Sequence, residues 1–174
     1  MSAPPLPVAF HVGIVVRDIE AVIDRYKRML GLDIWHVRDR GNGRKLAYGG
    51  RDGTGFAFEL IQPGPNEDDQ MTQFLAESGE GVQHIGFWTP DLLGSLKTAV
   101  AEGAQLVAGG YEAKDNTVVQ MDLPPDAPTL LRHMAYLEPG AGKVRFELFG
   151  PPGNEGLKSW LGEDYDKIIA QVPW

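Results

Sequence analysis

Short runs of alternating apolar and polar residues fill most of this chain, broken by stretches of helical period. In residues 9–16, His11, Gly13 and Val15 share one face and Val12, Ile14 and Val16 the other, as a period of two requires. From Ile19 the period changes. Ile19, Val22, Ile23, Tyr26, Met29 and Leu30 fall at helical spacing, with Asp18 before them as N-cap and Gly31 after them as a stop. Short strands are predicted near 33–37, 45–48 and 56–61, parted by Gly41-Asn42-Gly43 and Gly49-Gly50-Arg51-Asp52-Gly53. The first unit reads β-α-β-β-β.

The pattern then restarts. After a Pro-, Gly- and acid-rich linker and a short helix bearing Met71, Phe74 and Leu75, a strand over 82–88 is followed by Asp91 as N-cap. The next helix carries Leu92, Leu93, Leu96, Ala99 and Val100 and stops at Gly103. Strands are predicted near 104–108, 117–122, 131–137 and 144–149. His84 follows His11 by 73 positions and Gly103 follows Gly31 by 72, whereas Glu147 follows Glu59 by 88. The second copy therefore carries about 15 extra residues, assigned to the turn-rich region 111–130. A tail with Leu157, Trp160, Leu161, Tyr165, Ile168 and Ile169 at helical spacing lies outside the repeat and predicts a helix packed on the core or on a partner subunit. The expected organisation is a lead-in at 1–8, a βαβββ module at 9–62, a linker with a short helix at 63–81, a second βαβββ module at 82–150 and a helical tail at 151–174. The fold class is α+β.

Composition narrows the function without naming it. The 174 residues carry a formal net charge of −8, which disfavours nucleic acid and anionic membranes as partners. The absence of cysteine excludes disulfides, thiolate metal sites and a thiol nucleophile. The first residues lack a signal-peptide pattern and no apolar run approaches a membrane span, so a cytoplasmic protein is expected.

The chemistry lies in the repeat. Each copy has one histidine near its start and one glutamate near its end: Phe10-His11-Val12-Gly13-Ile14 with Phe58-Glu59-Leu60, and Gln83-His84-Ile85-Gly86-Phe87 with Phe146-Glu147-Leu148. A lone strand histidine is usually a hydrogen-bonded core residue, and a lone glutamate usually faces water. Here alternation turns both glutamates inward from apolar strands, where an unpaired carboxylate is costly. His11, Glu59, His84 and Glu147 together suit one divalent ion, Zn, Ni, Co, Mn or Fe(II), on a cupped surface made by the two modules. Gly13 and Gly86, two residues after each histidine, are expected to leave space beside it. His36 reads as a surface residue and His133 as a strand residue or a substrate contact. Arg38, Arg40, Arg44, Lys45 and Arg51 form a basic cluster that reads as a solvated turn, with an anion grip as the sharper alternative.

These motifs, over roughly residues 9–150, resemble the vicinal oxygen chelate superfamily, which includes glyoxalase I, methylmalonyl-CoA epimerase, extradiol dioxygenases and bleomycin-resistance proteins. The resemblance implies two βαβββ modules around a metal held by His11, Glu59, His84 and Glu147. It implies a metal-dependent isomerase, epimerase or lyase that moves a proton next to a carbonyl of a small organic substrate. Glu147 or Glu59 would carry that proton; Asp39, placed on the loop after the second strand, is a separate candidate base. The alternatives are an Fe(II) extradiol-type dioxygenase and a small-molecule-binding resistance protein. A homodimer is expected. The chain departs from the epimerase pattern in having Glu59 where glutamine is common.

Overall fold

The computed structural model describes residues 7–65, 69–115, 117–125, 129–140 and 142–169. Most of the expected lead-in and the last five residues of the tail lie outside them. The chain divides into two compact units: Phe10–His84 with the segment from Trp160, and Ile85–Ser159 with the residues before Phe10.

In the first unit, β1 (Val8–Val15) is followed by α1 (Ile19–Leu30), β2 (Ile34–Asp39), β3 (Lys45–Gly50), β4 (Ala57–Gln62), α2 (Gln70–Ser78) and the start of β5 (Gly81–Trp88). The strands lie in the order β2-β3-β4-β1-β5. Hairpin connections make β2–β3 and β3–β4 antiparallel, while β1 returns beside β4 in parallel. Helix α1 forms where the sequence predicts it. The Asp18 carboxylate accepts from the Ala21 N–H, and Gly31 takes a left-handed φ of 65° while its N–H donates to the Lys27 carbonyl. Its apolar stripe packs on one face of the sheet, in a core of Ile14, Val16, Ile19, Ile23, Ala47 and Leu60. Each buried Val, Leu or Ile side chain there contributes about 1.5–3 kcal/mol. Met29 and Leu30, counted into that stripe from their spacing, are instead exposed at 67% and 50%.

The second unit takes up β5 at Ile85 and continues with α3 (Leu92–Ala101), β6 (Gln105–Gly109), β7 (Tyr111–Lys114), β8 (Thr117–Gln120), β9 (Met134–Glu138), β10 (Arg145–Phe149) and most of α4 (Pro151–Leu161). Its strands run β5-β10-β9-β6. Two expectations change here. Among the described residues the strand near 117–122 does not join this sheet: β8 pairs with β7, as a separate hairpin. Within the expected strand 131–137, residues up to His133 belong to a 3₁₀ turn, Thr129–His133, and β9 starts at Met134. The extra residues of the second copy thus include a folded hairpin, and Val118 joins Leu92, Leu96, Ala135, Leu137 and Leu148 in the core.

The tail is not one helix. α4 ends at Leu161, Gly162 adopts φ 56°, and after a 3₁₀ turn α5 (Tyr165–Ile168) begins. Periodicity alone hides this break, because Leu157, Leu161, Tyr165, Ile168 and Ile169 are all buried on both sides of it. From Trp160 the tail belongs to the first unit, where the Gly53 N–H donates to the Lys167 carbonyl.

Candidate metal centre

Strand register decides which side chains share a face, because residues directly opposite one another point the same way. Glu59 on β4 lies opposite Tyr48 on β3 and Gly13 on β1; Tyr48 in turn lies opposite His36 on β2. His11 is two residues before Gly13, so it shares this face, away from α1. Val12, Ile14, Phe58 and Leu60 point the other way, into the helix-facing core.

On that face three donor atoms converge. His11 Nε2 and His84 Nε2 are 3.1 Å apart, His84 Nε2 is 3.1 Å from Glu59 Oε2, and His11 Nε2 is 3.6 Å from the same oxygen. Both imidazoles are fully buried and the Glu59 side chain is 12% exposed. Donor atoms bound about 2.0–2.2 Å from one ion, at octahedral to tetrahedral angles, lie about 2.8–3.6 Å apart, so the three separations fit a shared cation. The partner of His84's other nitrogen supports the same reading. Gln83, 1% exposed, places its side-chain oxygen 2.7 Å from His84 Nδ1. An amide oxygen only accepts, so Nδ1 carries the proton and the Nε2 lone pair faces the cluster. These side chains belong to a His/Glu group whose ligand atoms lie within 4.8 Å of one another, an arrangement able to hold a metal ion.

Gly13 has a different job from the expected one. A Cβ there would sit 1.9 Å from His84 Cε1, so the missing side chain makes room for the ligand's own ring.

Glu147 is 3% exposed on β10 of the second unit. Within that unit it occupies the place that Glu59 has in the first: its neighbours Phe146 and Leu148 pack in the helix-facing core, and it pairs across the ladder with a tyrosine, Tyr136.

Sequence reasoning missed Tyr48 and Gln83. Tyr48 is 3% exposed, and its hydroxyl stands 3.4 Å from His11 Nε2. A signal for it was present: Ala47-Tyr48 precedes Glu59 by the same spacing as Ala135-Tyr136 precedes Glu147, so the tyrosines repeat with the glutamates. Aromatic residues in strands ordinarily read as core, which concealed it.

Other expected site residues fall elsewhere. Asp39 is the last residue of β2, not a loop residue, and pairs with Lys45, which pairs with Gln62. That row is on the α1 side: Lys45 bonds Glu20, and the Gln62 side-chain oxygen accepts from the Ile19 N–H. Asp39 is exposed, accepts from the Gly41 N–H at 2.8 Å, and is on the wrong face to act as the base. His36 is held by Asp164 at 2.9 Å. Lys167 and then His36 keep the Asp164 carboxyl below its ordinary value. His133, half-buried in the 3₁₀ turn, has a lowered pKa through burial and then through Arg132.

The comparisons agree with this architecture. The sequence model of the Glyoxalase/Bleomycin resistance protein/Dioxygenase superfamily matches residues 10–119, and the chain belongs to that superfamily. A human 4-hydroxyphenylpyruvate dioxygenase-like protein is 30% identical over 95 residues; that stretch is 52% of this chain and 26% of the human protein, so the chain spans about a quarter of its length. The fold is similar to methylmalonyl-CoA epimerase from Mycobacterium tuberculosis, with TM-score 0.61 and 24% identity over 87% of this chain and 93% of that one. It is likewise similar to a variant of methylmalonyl-CoA epimerase from Streptomyces coelicolor in complex with 2-nitronate-propionyl-CoA, with TM-score 0.59 and 24% identity over 84% of this chain and 95% of that one. Among the described residues no helix is long and apolar enough to cross a membrane.

Proposed function

We propose that this protein is a divalent-metal-dependent enzyme of the isomerase, epimerase or lyase type, which moves a proton next to a carbonyl of a small organic substrate. The observation that carries this reading is the convergence of His11 Nε2, His84 Nε2 and Glu59 Oε2 at 3.1–3.6 Å, with His84's other nitrogen committed to Gln83. Glu147 is proposed as the fourth ligand. Its support is the duplicated Tyr–Glu pairing and its burial between the apolar neighbours Phe146 and Leu148.

A divalent ion bound here would polarise a substrate carbonyl and offset the negative charge that develops beside it. The residues do the rest. His11 and His84 are fixed by burial, and Gln83 fixes the tautomer of His84. Glu59 or Glu147 takes the proton from the carbon next to the carbonyl and returns it. The Tyr48 hydroxyl is close enough to the ligand nitrogens to donate a hydrogen bond to a substrate oxygen.

The test is elemental analysis of the purified protein, followed by proton–deuterium exchange with candidate carbonyl compounds. About one divalent ion per chain is expected, lost in His84→Ala. Glu147→Gln should weaken metal binding and reduce exchange by at least about 100-fold, the scale of a general acid–base group. Full exchange activity in that variant with the metal chelated would end the proposal. A ring-cleaving dioxygenase is the second reading. It is favoured by the two-histidine, one-carboxylate group within the first unit; the name of the human relative supports a dioxygenase in general and not ring cleavage in particular. Oxygen consumption with a catechol by the Fe(II)-loaded protein would select it.

A further inference from the structure

The basic cluster of the sequence comes apart in the fold, and one member is left on the face that carries the metal ligands. Arg44 pairs with Asp69 at 2.7 Å, and Lys45 bonds Glu20 on the α1 side. Arg40 and Arg51 are exposed. Arg38 lies two residues after His36 on β2, and so shares the face of His36, Tyr48 and Glu59. It is half-buried, and its guanidinium lies 4.5 Å from the centre of the Trp160 ring. Trp160 in turn meets Tyr48 edge-on, with ring centres 5.3 Å apart, and the Tyr48 hydroxyl stands 3.4 Å from His11 Nε2. Among the described residues Arg38 makes no ion pair. Asp164, an acid held against the same strand, is engaged by His36 and Lys167. A guanidinium stacked on a ring keeps its in-plane N–H donors available, in a fork that matches a carboxylate.

We propose that Arg38 binds a carboxylate carried by the substrate several bonds away from the carbonyl that reacts. The substrate class is then a carboxylic acid with a second, oxygen-bearing group at its far end. Trp160 holds the guanidinium flat and Tyr48 lines the space between it and the ligand nitrogens. This rests on the metal-centre reading above. Burial lowers the Arg38 pKa and Arg40 adds to it, the sign expected for a cation that lacks a protein counter-charge.

The experiment is calorimetric titration of the zinc-loaded full-length protein with glutarate, adipate and pimelate, against monocarboxylates of the same chain length. At least one dicarboxylate should bind about 10–100-fold more tightly than its monocarboxylate, the scale of a charge-assisted hydrogen-bonded pair. Arg38→Gln should remove that preference while zinc content and monocarboxylate binding stay unchanged. Arg38→Met, which keeps an unbranched side chain against Trp160 without the charge, should do the same. In the unmodified protein, raising the salt concentration should shrink the preference. With zinc bound, equal affinity across the pairs, or a preference that survives both substitutions, overturns the proposal and leaves the metal centre standing. A protein that binds no zinc sinks both.

Discussion

The two halves of the chain carry the same ladder and were elaborated in different places. In the first, Glu59 on β4 faces Tyr48 on β3; in the second, Glu147 on β10 faces Tyr136 on β9. Both tyrosines and Glu147 are buried, and Glu59 is nearly so. The second half has gained the β7–β8 hairpin, which enters the chain before β9 and packs through Val118 on the helix side of its sheet. The first half has gained the end of the tail, whose Trp160 and Ile168 lie against Tyr48 and Gly50. Insertion between elements leaves the register within a hairpin intact, because pairing is set by the turn that joins its two strands. The lesson is that the paired Tyr–Glu strands are the constant part of each half, and additions vary around them.

That comparison can be broken experimentally. The largest effect should come from Gly13→Ala. A methyl group would overlap the His84 ring, so His84 must move; overpacking of this kind costs about 1–3 kcal/mol of stability. Metal content, read by elemental analysis, should fall with it; unchanged content would mean that the His84 position is not needed for binding. Gln83→Leu should be next. The fold is expected to persist, with metal affinity about 10–100-fold weaker by competition with a chelator, as for loss of a group that orients a ligand. Equal affinity would remove Gln83 from the site. Val118→Ala should be smallest in chemical terms: about 2 kcal/mol of stability lost in denaturant titration, with metal stoichiometry untouched. A drop in stoichiometry there would show that the added hairpin is part of the ligand scaffold after all.

Much of this was legible because it is local. The Asp18 cap, the Gly31 stop, the strand faces of His11 and Glu59, and the repeated His and Glu follow from patterns within a few residues. What was hidden depends on distant partners. Whether β8 pairs with β7 or with the main sheet is not written in residues 117–120. The face of Asp39 follows from its pairing with Lys45 across the Gly41–Gly43 turn, where a shift of one residue would reverse it. The break at Gly162 was masked because apolar spacing continues through it. Gly13 reads as a void until the ring that fills it is known.

That filled hollow has a consequence for how the protein comes to exist as a working object. The imidazole that occupies it belongs to His84, 71 positions after Gly13 in the chain, so neither strand has a finished surface until the other arrives. Contacts of such long sequence separation are made at a high entropic cost and tend to form slowly. Ion-binding capacity should therefore appear as a late event on the route to the native state, and no peptide cut from either strand alone should inherit it.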